Sequence, residues 1–126
     1  SKRDIEYLEK AKVAVNGIKN LPGKPQRVTK QSIGKFLGIT LFSSAKKLNK
    51  LPLTSAYLAE VNETVDIFIV NRIKWVNECY KQENIIPSKY QFIRRVGLGE
   101  NSKSSELVKN TLDDTLEDLH NFFNFQ

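Results

Sequence analysis

The chain has few of the residues from which catalytic and metal centres are built. Its 126 residues contain one cysteine (Cys79), one histidine (His120) and no methionine. A single cysteine cannot form an intramolecular disulfide, and one Cys with one His cannot supply a zinc site or a cysteine–histidine pair with the usual partners. We therefore expect no catalytic residue, no metal and no cofactor, and we expect that the protein is not an enzyme.

Long apolar runs and phosphate-binding loops are also missing. No run approaches the ~18 residues of a membrane span, and the N-terminus lacks the apolar stretch of a signal peptide. We expect a cytoplasmic protein without a membrane partner. The start Ser1-Lys2-Arg3, without an initiator methionine, leads us to expect a segment of a longer protein. The glycines have turn or packing explanations at Gly34, Gly38, Gly97 and Gly99.

Positive charge is concentrated in the first half of the chain. Residues 1–51 carry 12 Lys and Arg against 3 acidic residues, whereas residues 100–126 carry 2 against 6. Clustered basic residues release counterions from a phosphate backbone, so this gradient suggests a polyanionic partner. A solvated lysine-rich surface explains the same composition, and charge alone leaves both interpretations open.

Hydrophobic spacing predicts an all-α fold. Alternation of period two is missing, and apolar residues recur at spacings of three and four. The predicted helices lie at about residues 5–19, 30–37, 44–50, 55–82, 89–96 and 103–123. The helix at 55–82 has an apolar stripe wide enough for burial on more than one side, so we expect it to form a spine for both halves of the chain.

Capping residues bound several of the predicted helices. Asp4, Thr29, Thr54 and Ser88 are predicted N-caps, because their side-chain oxygens can accept from free amides of a first turn. Gly38 stands where a left-handed residue ends a helix. We expect Phe36 to face inward with its apolar neighbours, and Cys79 to lie in the core.

The helices predict two helix-turn-helix units around a long central helix. Residues 1–52 would form the first unit, and residues 53–126 would form the spine and the second unit. In this motif the second helix enters the major groove of DNA with its N-terminal residues. Pairs of helices with this layout are also common outside DNA binding, so a packing role remains open for both.

The predicted DNA contacts in the first unit are basic and hydroxyl side chains. Lysines suit phosphates and guanine edges, and serine hydroxyls suit bases or phosphates. The reading helix would present Ser43, Ser44, Lys46, Lys47 and Lys50. Its flanks would hold the DNA backbone through Arg27, Thr29, Lys30 and Lys35.

The predicted contacts in the second unit come from two helices. The first of them offers Lys89, Gln91, Arg94 and Arg95. The opening of the final helix offers Asn101, Lys103, Ser104 and Ser105. Later turns of that helix are acidic at Asp113, Asp114, Glu117 and Asp118. Those carboxylates would repel DNA, so only the first turns could approach it, and a packing helix with an acidic outer face is an equal alternative.

A set of spaced residues extends across about 25–115. It consists of Arg27-Val28-Thr29, Ile33-Gly34, Leu37-Gly38, Lys50-Leu51-Pro52 with Thr54, Tyr57-Leu58, Glu63, Phe68, Arg72-Ile73 with Trp75, and Phe92 to Leu98. In this order and spacing the residues resemble the C-terminal region of the TnsD family, the target-site selectors of bacterial transposons. The resemblance implies sequence-specific binding of double-stranded DNA at an attachment site, in the bacterial cytoplasm and nucleoid. In the full-length protein it implies an AAA+ transposition regulator and other transposition proteins as partners. One Cys and one His cannot build the zinc-containing TniQ part of that family, so we do not expect that part among these residues.

Two other classes of function stay open. The helices could form a protein-interaction module that docks transposition partners without reading DNA, with the lysines serving solubility. A helical RNA-binding domain is the third interpretation, although few exposed aromatic residues are expected for stacking single-stranded bases.

Overall fold

The described residues of the chain, 1–98 and 105–125 in a computed structural model, form an all-α fold without strands. This confirms the predicted fold class. A 3-10 turn at Leu41–Ser43 accompanies seven helices in this part of the chain: α1 (Lys2–Lys19), α2 (Lys30–Leu37), α3 (Ala45–Leu48), α4 (Pro52–Val61), α5 (Val65–Glu83), α6 (Lys89–Val96) and α7 (Glu106–Asn124).

The helices are divided between two compact units, Ser1–Thr64 and Val65–Gln126. The predicted boundary between residues 52 and 53 therefore falls inside the first unit. Each unit contains its own cluster of buried apolar residues.

The predicted long helix at 55–82 is wrong, because the chain leaves the helical conformation between Val61 and Val65. Glu63 accounts for the break. Its amide donates to the carbonyl of Val28 at 2.8 Å, and its carboxylate accepts from the amide of Val28 at 2.6 Å. Arg27 also donates to the Glu63 carbonyl at 2.9 Å. These bonds take the backbone groups that a continuous helix would need for its own ladder.

The sequence predicted Asp4 as the N-cap of the first helix, and this prediction is wrong. Ser1 caps α1, and Asp4 lies within it, fully buried. The Asp4 carboxylate accepts from the amides of Leu53 and Thr54 at 2.8 and 2.9 Å and from the Thr54 hydroxyl at 2.7 Å. These amides belong to the first turn of α4, where a helix has no internal acceptors. Asp4 therefore caps α4, which begins at Pro52 and not after Thr54.

The core of the first unit is built from α1, α2, the 3-10 turn and the helices that follow. Ile33 and Phe42 are fully buried in it, and the Tyr7 ring meets Phe42 edge-on at 6.2 Å. The prediction that Phe36 faces inward is wrong, because this residue is 46% exposed. Its ring lies over Gly17, where an added Cβ would come within 2.5 Å of it. The aromatic ring thus packs on the backbone of α1 outside the core.

The core of the second unit lies between α5, α6 and α7. Phe92 is fully buried and stacks on Tyr80, with 5.8 Å between ring centroids. Val108 and Leu119 close the cluster from α7. Cys79 is only partly buried, so its predicted place in the core is wrong. Desolvation nevertheless raises the pKa of its thiol.

Local capping signals were predicted more accurately than these long-range contacts. Thr29 and Ser88 each form a capping box, with Ser32 and Gln91. Gly38 ends α2 in the left-handed region with φ of 72°. In each case the donor and acceptor are within a few residues, so the sequence alone carries the signal.

The cap formed by Asp4 predicts a pH dependence for the stability of the first unit. Burial tends to raise the pKa of this carboxyl, but the hydrogen bonds from Thr54 and Leu53 bring it below its ordinary value of 3.8. A lowered folded-state pKa means that the stabilisation is complete above about pH 4 and is lost as the pH falls through the folded pKa.

We expect Asp4→Asn to destabilise the first unit at neutral pH, because an amide offers one acceptor oxygen and no charge. The difference from wild type should stay constant down to about pH 4 and shrink below it. Urea unfolding followed by NMR signals of α4 measures this. Glu6→Gln, at an exposed carboxylate of α1, is the matched control and should stay within about 0.5 kcal/mol of wild type. Equal effects of the two variants would contradict the prediction.

Candidate nucleic-acid interface

A basic pocket lies in the first unit at the start of α1. Its volume is about 400 Å³, and its walls are formed by Ser1, Arg3, Leu41, Lys47, Lys50 and Leu51. Leu41 and Leu51 are buried, while the three cations are exposed. Lys47 and Lys50 are predicted site residues, whereas Arg3 is not. The structure brings these three positive charges to one opening.

The other predicted side chains of the α3 segment differ in availability. Ser43 and Lys46 are exposed. Ser44 caps α3, and its hydroxyl accepts from the Lys47 amide at 3.3 Å. The predicted helix at 44–50 is shorter than expected, because α3 extends only over Ala45–Leu48. This segment therefore has one helical turn, with exposed lysines at Lys46 and Lys47 within the turn and at Lys50 after it.

The predicted flanking residues of the first unit lie at two further concavities. Lys30 is half-buried beside Leu48 and Leu58. Lys35 lines a groove with Phe36 and Arg27. The Arg27 guanidinium donates to the Glu63 carbonyl, and the Thr29 hydroxyl accepts from the Ser32 amide at 3.1 Å. Arg27 and Thr29 thus have structural roles, and Lys35 keeps an exposed charge.

Among the predicted contacts of the second unit that the structure describes, Arg95 has the strongest intramolecular bonds. Arg95 forms two hydrogen bonds with the Glu83 carboxylate, at 2.7 and 2.6 Å, and its guanidinium lies 4.6 Å from the Tyr80 ring centroid. The bonds to Glu83 raise the pKa of Arg95 further above its already high value. Arg95 is therefore occupied by the fold of its own unit.

The neighbours of Arg95 on α6 are bound more loosely. Gln91 completes the capping box with Ser88. Lys89 comes within 3.9 Å of Asp113, and both side chains are mainly exposed. Arg94 is exposed, with its guanidinium 5.7 Å from the Tyr90 ring centroid. Among these residues Arg94 has the most available charge.

The opening of the final helix is described only from Ser105 onward. Ser105 caps α7 by accepting from the Val108 amide at 3.2 Å. Asn101, Lys103 and Ser104 lie outside the described residues. Asp118 accepts from Asn77 and Lys81 at 3.1 and 3.0 Å, and the bond from Lys81 lowers the pKa of its carboxyl.

The two units differ in their balance of basic and acidic residues and in the ion pairs between their helices. The first unit contains 12 basic and 5 acidic residues, and the second contains 8 and 9. Every ion pair between different helices found within residues 1–98 and 105–125 belongs to the second unit. Basic side chains of the first unit are thus the better candidates for an external anion.

Sequence reasoning missed Arg3, because it is 44 positions from Lys47 and precedes the predicted start of α1. The capping bond between Asp4 and the start of α4 places the first turn of α1 next to Lys50 and Leu51. No periodic pattern reports such a contact. The basic pair Lys2-Arg3 was the only local signal.

The described part of the chain contains neither a metal-binding cluster nor a membrane-spanning helix. Within residues 1–98 and 105–125, no cluster of three or more His, Cys, Asp or Glu side chains is arranged to hold a metal ion. No helix in the same ranges has the length and apolar character to cross a membrane. Comparisons with family models, with curated proteins and with solved structures gave no match to this chain.

The contacts of Arg95 predict a structural role that its neighbour Arg94 does not share. We expect Arg95→Ala to lower the stability of the second unit by about 1 kcal/mol, since it removes a partly exposed ion pair and a cation–π contact. Arg94→Ala makes the same change of charge and should cost less than about 0.5 kcal/mol. Trp75, the only tryptophan, packs against this core, so its fluorescence during urea unfolding reports the difference. Identical midpoints for the two variants would contradict the assignment.

Proposed function

We propose that this chain binds double-stranded DNA, without catalysing a reaction, and that the first unit makes the main contacts. The observation that carries the proposal is the group of exposed cations at the α3 segment, Lys46, Lys47 and Lys50, joined by Arg3. Release of counterions from phosphates is the main source of non-specific affinity for DNA, and it requires cations that no protein carboxylate already holds.

The helical pair around Gly38 supports a helix-turn-helix interpretation of this surface. α2 ends at a left-handed Gly38, and the α3 segment follows after the 3-10 turn. Because α3 has a single turn, few of its side chains can reach base edges. Ser43 and Lys46 are the exposed side chains best suited to that role. Contacts to phosphates then outnumber contacts to bases, as is usual in protein–DNA interfaces.

We further propose that the binding serves target-site selection in transposition, as part of a larger TnsD-like protein. The support for this step is the resemblance of spaced residues such as Arg27-Val28-Thr29 and Lys50-Leu51-Pro52. In such a protein an AAA+ regulator would be recruited to the bound site, in the bacterial cytoplasm. The second unit has more acidic than basic residues, and Lys81, Lys89 and Arg95 already have carboxylate partners, so it would contribute fewer contacts to DNA.

A protein-interaction module is the alternative function, and one feature favours it. Leu21 and Phe36 are about half exposed and line one groove with Ile18. Exposed apolar side chains grouped in a groove are typical of protein contacts. This interpretation predicts no measurable affinity for duplex DNA, so the same experiment discriminates between the two functions.

The proposal is tested by fluorescence anisotropy with a labelled duplex from the flank of a transposon insertion and with an unrelated duplex. We expect salt-sensitive binding that is tighter for the flank. The double variant Lys46→Ala, Lys47→Ala should bind more weakly, and its log–log salt slope should fall by about 0.9 for each phosphate that the variant no longer neutralises. The control is Lys10→Ala, Lys12→Ala, which removes two exposed charges from α1.

Two results would count against the proposal. Absence of duplex binding at low salt would favour the interaction module. Equal effects of the two double variants would show that net charge, and not the α3 segment, determines affinity. Parallel titrations with duplex RNA and single-stranded DNA of the same sequence test the third interpretation, a helical RNA-binding domain. Such a domain should bind RNA more tightly than duplex DNA.

A further inference from the structure

We propose that Arg3, Lys47 and Lys50 form a binding site for one phosphodiester group of the DNA backbone. The inference rests on the proposed DNA binding and assigns to Arg3 a role that its sequence position does not suggest. The three cations line one pocket with Leu41 and Leu51. Among the described residues that line it, none has a carboxylate side chain.

The three cations of this pocket lack a direct carboxylate partner within the described part of the chain. None of the three cations forms an ion pair with a carboxylate of residues 1–98 or 105–125. Asp4 follows Arg3 directly, but its oxygens accept from α4 and are closed to solvent. Like charges around one opening repel each other, and an anion that enters it relieves this repulsion.

The chemical character of the walls matches a phosphate. A guanidinium presents two parallel N–H groups to two phosphate oxygens, and an ammonium acts as a mobile point charge. Arg3 supplies the first kind of group, and Lys47 and Lys50 supply the second. The volume of about 400 Å³ is near the lower end of the roughly 300–1,000 Å³ of small-molecule pockets. It suits a phosphate and part of its sugar.

The pocket lacks the features that a free nucleotide requires. No aromatic residue of the described chain is among its walls, and its apolar part consists of Leu41 and Leu51. A base would therefore find no ring on which to stack, although stacking is the usual means of holding an unpaired base. Recognition by charge alone fits the backbone of a duplex, whose bases stay paired in the helix.

The backbone of the pocket is fixed before any anion binds. Asp4 holds the first turn of α1 to the start of α4, and Ser44 caps the short helix that carries Lys47. The Arg3 guanidinium also lies 5.6 Å from the Tyr7 ring centroid. Fixed supports reduce the entropy cost of binding. The pocket would thus set the position of the duplex. Lys46 does not line the pocket, so its side chain stays available to contact base edges in the major groove.

The test compares Arg3→Ala, Arg3→Lys and the control Lys12→Ala by anisotropy with the flank duplex and the unrelated duplex. Lys12 is an exposed cation of the same helix outside the pocket. We expect Arg3→Ala to weaken binding about tenfold for both duplexes alike, because a phosphate contact carries no base information. Its salt slope should fall by about 0.9. Arg3→Lys should keep most of the slope and recover part of the affinity.

The outcomes separate this inference from the proposed function. If wild type binds DNA and Arg3→Ala behaves as Lys12→Ala does, the pocket assignment is overturned and DNA binding stands. If wild type binds no duplex, the proposed function fails, and NMR titration with dimethyl phosphate decides on the pocket alone. Shifts at the lining amides that disappear in Arg3→Ala support a phosphodiester site. Shifts with inorganic phosphate only, or with neither anion, overturn it.

Discussion

The carboxylate of Asp4 is the interaction on which the geometry of the first unit depends. It accepts three hydrogen bonds from Leu53 and Thr54 at a position closed to solvent. A buried charge is tolerated only where its oxygens are bonded. The bonds of Asp4 to Leu53 and Thr54 therefore fix the register of α1 against α4. That register sets Arg3 beside Lys50, and the basic pocket is its direct consequence. A structural cap thereby determines the position of a candidate functional site.

Glu63 forms a second connection of the same kind. It binds Val28, 35 positions earlier, through its carboxylate, as Asp4 binds Thr54 across 50 positions. Each contact gives the backbone at the end of one segment a partner from another segment. Helix α4 is defined by the two together, since Asp4 fixes its start and the bonds of Glu63 prevent it from continuing into α5. The hydrogen bonds of Glu63 therefore attach the C-terminal end of the first unit to Arg27 and Val28, in addition to the packing of its apolar core.

This arrangement explains which parts of the fold could be predicted from the sequence. Caps such as Thr29 with Ser32 are local, and a helical period is local too, so the all-α fold and both bounds of α2 and α6 were predicted correctly. The continuous helix at 55–82 was wrong because its apolar spacing continues through Glu63, whose partners are remote. In the site, exposed lysines of the α3 segment were predicted, but the pairing of Arg95 with Glu83 and the approach of Arg3 require tertiary contacts that no spacing reports.

The same contacts make the two units unequal as partners for a polyanion. Arg95 and Lys81 of the second unit already have carboxylate partners, so binding a phosphate there would require breaking a bond that the fold has formed. Arg3, Lys47 and Lys50 have no such partner to give up among the described carboxylates. The few phosphate contacts that the proposed site could make would release few counterions, which would limit affinity at physiological salt. If the first unit binds DNA as proposed, a second binding element tethered to it would raise its effective concentration at the site and so strengthen the complex.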